Sequence, residues 1–524
     1  MRYNLQFSFK LRGKFPVEAT EKMEEWLTEL KQLLEKGIQD KDLKNISKVK
    51  KWAIKSVNEK EDELLLTVIS GEAMPAHHAL LRMRKFFSGK LGREYHLGIS
   101  GVDIKSYKID IDIPNKPTKE FSLPFVSSIK FTDDTAKITL EKNIPIDFIE
   151  KGTIDRLVKL VRNKITEQVI RGKDEHHLVV WTSEQKNPIT TENPTDTMIK
   201  DGWIQRTSYR NQWIFAPAIS ALTEALKEIM VEHLYKPLGF HNMIFPKVVP
   251  WEVWKRSGHL SGIYQGGFEP YFVCTPQTAD PEYWEEIADY FRITLEIEPE
   301  KIMKKLRPPI GGLSFAQCPP FWSFLQGKTI SEDSFPLFYY DWSGPTFRYE
   351  SGAAHGFERV DELHRIETLY IGFPDQIKKV AQDLRTGFRN IIGNILDLEF
   401  REAWVTPWWS SQEGKGDEEE ESSVELKNFD QIGTIDMEIY MPYRGKREQS
   451  EWLETQNVSI LGNKYTKSFT VKSQTGKELW SGCGGGSFER YISAFVAQKG
   501  TNPDNWPEKL LKYIDKLPSG PTFL

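Results

Sequence analysis

Hydrophobic and polar positions alternate at the start of the chain. Tyr3, Leu5, Phe7, Phe9 and Leu11 share one face, the period of a half-buried strand. From Pro16 to Lys36 the period changes. Met23, Trp26, Leu27, Leu30 and Leu34 fall at helical spacing and predict an amphipathic helix. Residues 64–69 read as a strand, 75–87 as a second helix, and 102–113 and 121–140 as further strands between turn residues. Residues 147–171 predict a third helix, carrying Arg156, Lys159, Arg162, Lys164 and Arg171. Together they predict an α+β domain over residues 1–172 with an antiparallel sheet. No residue pattern in it suggests catalysis.

Residues 173–215 form a polar, Trp-containing connector to a second domain, 173–524. Pro217 opens a predicted helix over 218–235, which favours proline at its first position, and a strand-like segment follows to Pro246. Phe347-Arg348-Tyr349-Glu350 alternates as a strand, so Arg348 and Glu350 are expected on one face. A small-residue loop, 351–356, leads to Arg359 and a return strand over 363–370. The expected product is an antiparallel hairpin bearing two arginines and two glutamates. Fixed guanidinium forks suit a polyphosphate, and a carboxylate can accept from a base amino group.

Apolar positions Ile377, Val380, Ala381, Leu384 and Phe388 predict a helical stretch, 373–402. Residues 410–428, with four consecutive glutamates at 418–421, read as a solvated loop. A strand over 436–441 leads to the acidic run from Glu451 to Asn457. Gly484-Gly-Gly-Ser-Phe-Glu-Arg490 opens an apolar run, Tyr491-Ile-Ser-Ala-Phe-Val496. Residues 506–517 predict a short final helix.

A length of 524 residues suits two or three domains, and 39% hydrophobic with 12% aromatic residues is a folded composition. No apolar run approaches 18 residues, so no membrane span is expected. The opening Met1-Arg-Tyr-Asn-Leu has no signal-peptide core. Cys274, Cys318 and Cys483 are odd in number and unpaired in spacing, which points to a reducing, cytoplasmic setting. The net charge of −5 is unevenly spread. Residues 1–172 hold 32 Lys and Arg against 25 Asp and Glu, while the remainder holds 38 against 50. A basic module on an acidic body suits either a polyanion partner or a solubilising surface, and charge alone does not choose between them.

The stretch 341–370 resembles motif 2 of class II aminoacyl-tRNA synthetases: Phe-Arg-x-Glu, a loop, a second arginine, a return strand. The stretch 480–498 resembles their motif 3, and the helix and strand over 217–246 resemble motif 1, the dimer element. Within that class, Ala316-Gln-Cys318-Pro-Pro, His364-Arg-Ile-Glu367 and Trp480-Ser-Gly-Cys483 resemble the methanogen-type seryl-tRNA synthetases of archaea. The resemblance implies an antiparallel sheet flanked by helices, a separate N-terminal tRNA-binding domain and a homodimer. It also implies that 373–402 lies where synthetases carry insertions.

The implied reaction joins serine, ATP and tRNA(Ser). Arg348 would hold the α-phosphate, Arg359 and Arg490 the β- and γ-phosphates, and Glu350 the adenine amino group, with Arg348 and Arg490 as the catalytic pair. Glu451 and Glu454 are the implied Mg²⁺ ligands. Leu363 stands where the family expects an aromatic residue to stack on adenine, so an aliphatic face and Arg490 would enclose the base. Spacing alone reads Cys318 and Cys483 as buried core thiols. The resemblance instead implies Zn²⁺ held by Cys318, Glu367 and Cys483, its open position meeting the serine amino group. Asn457, Trp408, Arg365 and Glu367 would contact serine, with Trp404 and Trp409 competing for the tryptophan's place. Two other readings are a threonyl-like enzyme, whose Cys-His-His zinc set has no match here, and a non-catalytic tRNA-binding paralogue, which would not need Arg348 and Arg490.

Overall fold

The computed structural model describes residues 1–36, 38, 47–113, 116–117, 120–142, 144–169, 177–209, 211–261, 268–350, 356–405, 431–448 and 450–520. The chain divides into two compact units, Met1–Asp174 and Glu175–Leu524.

The first unit is built on a six-stranded antiparallel sheet. Its strand order is Lys48–Ser56, Asp62–Ser70, Arg2–Leu11, Ile99–Asp112, Thr135–Leu140, Val126–Phe131. Arg2–Leu11 lies inside the sheet because its alternate residues Tyr3, Leu5, Phe7, Phe9 and Leu11 are all buried against the helices. The expected first helix is two pieces, Val17–Glu21 and Met23–Glu35. The second runs further than expected, Ala76–Tyr95, and ends on His96 in the left-handed region (φ 51°). The third begins as Ile146–Glu150, turns at Gly152 (φ 64°) and resumes as Thr153–Val169. That positive φ is what a glycine supplies without strain.

The second unit carries a nine-stranded sheet. Its main path runs His241–Asn242, Leu337–Asp341, Glu362–Gly372, Trp480–Ser487, Leu453–Gly462, Gly433–Ile439, Phe400–Val405, His177–Thr182. Only the first of these pairings is parallel. The polar connector therefore contributes the edge strand His177–Thr182, a correction to its reading as a linker. Helices Pro217–Met230, Pro374–Arg389 and Phe488–Lys499 share one core with the sheet.

The helix expected over 373–402 ends at Arg389 in a π-helical turn, and Phe400–Val405 is a sheet strand. Ile377, Val380, Ala381, Leu384 and Phe388 are all buried in that shared core. Their apolar stripe needs the sheet to cover it, so the segment is part of the core and not an added lobe. The final helix is only Glu508–Leu511.

The hairpin also departs from expectation. Pro345–Phe347 pairs with Glu362–His364, but the ladder stops before Arg348. Tyr349–Glu350 pairs instead with Phe268–Glu269. Arg348 is held at the break, its N–H donating to the Asp361 carbonyl at 2.8 Å. The expected single ladder through Arg348 and Glu350 is therefore two separate pairings. Among the described residues no helix is long and apolar enough to cross a membrane.

Candidate active site

The site grows from the period of the strand Glu362–Gly372. Arg365, Glu367 and Leu369 share one face, while Ile366 and Tyr370 point into the helix-covered core. Directly opposite Glu367 lie Asp341 on one neighbouring strand and Gly485 on the other, and Cys483 lies opposite Leu369. Cys318 approaches from the start of helix Cys318–Leu325. The Cys318, Glu367 and Cys483 ligand atoms lie within 4.8 Å of one another, all buried.

The electrostatics of this cluster are unusual. Burial pushes the Glu367 carboxyl up, against the pull of Arg365 and Arg348. The hydrogen bond to Cys318, then burial, raises the Cys483 thiol well above its ordinary range. Glu367 Oε2 sits 2.5 Å from Arg365 Nη2, yet it accepts no well-formed hydrogen bond. Two thiols and a carboxyl gathered out of water with an unsatisfied oxygen form a donor set that a divalent cation fits, replacing protons as it binds.

Glycine makes room for this arrangement. A Cβ at Gly485 would overlap the Arg365 guanidinium, and one at Gly482 would overlap the Tyr370 ring. Near Gly485 the ladder to Leu453–Gly462 is interrupted, with Gln456 opposite Gly486 and Ser459 opposite Cys483. Asn457 closes the gap by accepting from the Gly485 N–H at 3.0 Å through Oδ1. Its amide NH₂ is what remains for a ligand.

The strand ends at Ser487, whose hydroxyl caps helix Phe488–Lys499 by accepting from the Arg490 N–H at 3.3 Å. That cap sets Arg490 in the first turn. Its Nη1 donates to Glu454 Oε2 and to the Glu454 carbonyl, both at 3.0 Å. Burial would raise the Glu454 carboxyl, but Arg490, Arg348 and Arg365 together hold it low. Glu451 stands apart, before the strand begins, with its side chain 91% exposed. Arg348 Nε donates to the Phe315 carbonyl at 3.1 Å. Leu363 is buried, paired across the ladder with Thr346. Arg359 lies in the loop between Glu358 and Asp361, two buried acids.

The structure thus gathers Arg348, Arg365, Glu367, Glu454, Asn457, Arg490, Cys318 and Cys483. Trp408, Trp409 and the 413–422 acidic run lie outside the described residues, as does the Glu350 side chain. Trp404 packs over Gly433 on the neighbouring strand.

Several partners were not legible in the sequence. Asp341, fully buried, accepts from Lys247 Nζ at 2.8 Å and from the Ser343 N–H at 2.8 Å. Glu489, also fully buried, accepts from the His364 N–H at 2.7 Å and meets its Nδ1 at 2.8 Å. A separate cavity of about 480 Å³, lined by Glu362, His364, Glu224 and Lys227 among others, holds none of the cluster's residues.

A tRNA-binding domain family matches residues 1–163. The type-2 serine–tRNA ligase of Methanococcoides burtonii is 41% identical over 99% of this chain and all of its own length. The chain belongs to the type-2 serine–tRNA ligase family. The Methanothrix thermoacetophila member is 39% identical over the whole of both chains. Among solved structures, the M. kandleri SerRS bound to A. aeolicus tRNASec superposes with a TM-score of 0.73 at 26% identity, covering 100% of this chain and 99% of that one. The class II synthetase fold expected from the motifs is therefore this family member's fold.

Proposed function

We propose that this chain activates serine with ATP and transfers it to the 3′ end of tRNA(Ser). The observation that carries the reading is the convergence of Cys318, Glu367 and Cys483 with Arg365 and Arg348, which also act on Glu454 together with Arg490. Full-length likeness to serine–tRNA ligases supports it.

In this reading a serine carboxylate oxygen attacks the α-phosphorus of ATP and pyrophosphate leaves. Arg348 stabilises the charge that develops there. Arg359 and Arg490 hold the outer phosphates, Glu350 meets the adenine amino group, and Leu363 bounds the base. Glu454 and Glu451 would be the residues to hold a Mg²⁺ bound with the nucleotide, and Arg490, paired with Glu454 here, would turn to phosphate. Cys318, Glu367 and Cys483 would hold Zn²⁺, which would supply a Lewis-acid site for the serine amino group. Arg365 keeps Glu367 oriented. Asn457 donates to the serine hydroxyl, since its carbonyl oxygen is engaged, and Trp408 is the second residue assigned to serine by the family resemblance. The adenylate is then attacked by the tRNA terminal hydroxyl and AMP leaves.

The first unit grips tRNA through phosphates on the long extra arm of serine tRNAs, and the chain works as a cytoplasmic homodimer through Pro217–Met230 and the segment after it. The test is ATP–pyrophosphate exchange measured across the amino acids. Exchange should require serine. A pocket that rejects one extra methyl by fit alone gains only about 1–3 kcal/mol, so threonine is the near competitor. Exchange with threonine as fast as with serine would overturn the assignment.

A further inference from the structure

We infer that Arg444 is a positioning residue that ties together the three segments proposed to hold ATP. The inference rests on the roles given above to Arg359, Arg490 and Glu454. Arg444 ends the short turn Pro442–Arg444, which packs on helix Phe488–Lys499, the helix that carries Arg490. Its Nη2 donates to Glu358 Oε2, and its Nε donates to the Tyr443 hydroxyl at 3.0 Å. That hydroxyl donates in turn to Glu358 Oε1 at 2.8 Å. Nη1 donates to the Glu451 carbonyl at 3.3 Å, just before the strand that carries Glu454.

Glu358 precedes Arg359 and is only 2% exposed. Two residues beyond Arg359, Asp361 is equally buried and accepts from Asn211 Nδ2 at 3.2 Å and from the Tyr271 hydroxyl at 2.8 Å. The loop segment bearing Arg359 is therefore pinned at both ends by a buried acid. A buried carboxylate parted from its donors carries a heavy penalty, so the loop cannot shift without moving Arg444 and Tyr443 with it. One planar guanidinium reaches Glu358, Tyr443 and the Glu451 carbonyl at once, which an ammonium cannot reproduce. Arg444 itself touches no reacting atom in this account. It sets the spacing between the arginines and the acid that must close on one triphosphate.

The experiment uses the full-length protein and serine-dependent ATP–pyrophosphate exchange, with KM for ATP and for serine read separately. Arg444→Ala and Glu358→Gln should each raise the ATP KM about tenfold or more and leave the serine KM within about twofold. The double variant should be no worse than the worse single one, because both remove one interaction. Arg444→Lys should recover part of the loss. If Arg444→Ala does not fold, Arg444→Lys and Tyr443→Phe still carry the expectation, with shifts of about threefold in the ATP KM alone. An unchanged ATP KM, or ATP and serine KM rising together, overturns the inference. Arg359→Ala is measured alongside. If it raises the ATP KM while Glu358→Gln does not, only the inference falls. If Arg359→Ala is silent, the role given to Arg359 falls and takes the inference with it.

Discussion

Among the described residues, the first unit buries few polar side chains: Ser8, Ser47, Asp62, Glu63, Ser70 and His77. The second buries Asp341, Glu358, Asp361, Glu367, Glu399, Glu402, Glu438 and Glu489. Most of these acids meet an arginine, lysine or histidine, as Glu402 meets Arg385 and Arg389, and Glu399 meets Arg447. In the first unit, arginines of the helices Ala76–Tyr95 and Thr153–Val169 sit outside. Arg84 pairs with Glu150, Arg162 with Glu72, and Arg156 with a backbone carbonyl and Thr153, all in exposed contacts. Exposed pairs contribute little to stability and exchange readily for phosphate. Buried pairs cost desolvation, and a fold that carries so many is holding charge in fixed positions. The contrast separates a surface that binds a polyanion from an interior arranged for chemistry.

The sharpest way to break that contrast is at the cluster. If the proposed zinc site is real, Cys483→Ala or Glu367→Gln should abolish zinc binding and lower serine-dependent exchange by more than about a hundredfold, beyond what loss of a supporting contact to a metal ligand costs. Elemental analysis beside exchange rates checks it. A Cys483→Ala protein that kept metal and activity would sink the ligand set.

Next in size is the buried pairing itself. Glu402→Ala should destabilise the second unit by about 3–5 kcal/mol, because it strands Arg385 inside the core. The same truncation on the surface, Glu150→Ala opposite Arg84, should cost less than about 1 kcal/mol. Denaturant unfolding of each variant measures both, and equal losses would erase the distinction between the units.

Much of this was readable from residue periods, and the limits are informative. The face Tyr3–Leu11 follows from local pattern alone, and the glycine strand with its helix from the resemblance to motif 3. The strand Lys48–Ser56 was missed because a bulge between Val49 and Lys51 breaks its alternation and its lysines face solvent, as befits an edge. The hairpin was read as one ladder because nothing local signals that Tyr349 leaves for Phe268. Lys247 with Asp341, and Arg444 with Glu358, join residues 94 and 86 positions apart. Their chemistry is ordinary in sequence and becomes specific only when the sheet assembles. The Cys-Glu-Cys set needed the family resemblance for the same reason.

Smaller effects sharpen the comparison further. Gly485→Ala should displace Arg365 from Glu367 and raise the serine KM about tenfold, with little change in the ATP KM. The result to watch for is a serine KM that does not move, which would free Arg365 from any role at serine. At His364, burial would lower the imidazole's pKa, but Glu489 wins and holds it above its ordinary value of 6.5. A raised value means the pair's stabilisation is full below pH 6.5 and is lost as pH rises through the shifted pKa. His364→Gln should flatten that part of the stability profile, and an unchanged profile would remove the pair as its cause. In the first unit, Arg162→Ala should leave stability within about 1 kcal/mol and reduce the slope of log affinity for tRNA against log salt by roughly one. An unaltered slope would place the phosphate contacts elsewhere.

The division of labour between the units is tested most directly by removing residues 1–174 and measuring two activities of the remaining folded unit. Serine-dependent ATP–pyrophosphate exchange should persist near the full-length rate, because Arg348, Arg359, Glu454, Arg490 and the Cys-Glu-Cys cluster all lie in Glu175–Leu524. Charging of tRNA(Ser) should collapse through a raised KM for tRNA. Charging with an unchanged KM for tRNA, or exchange lost from a unit that still unfolds cooperatively, would contradict the account.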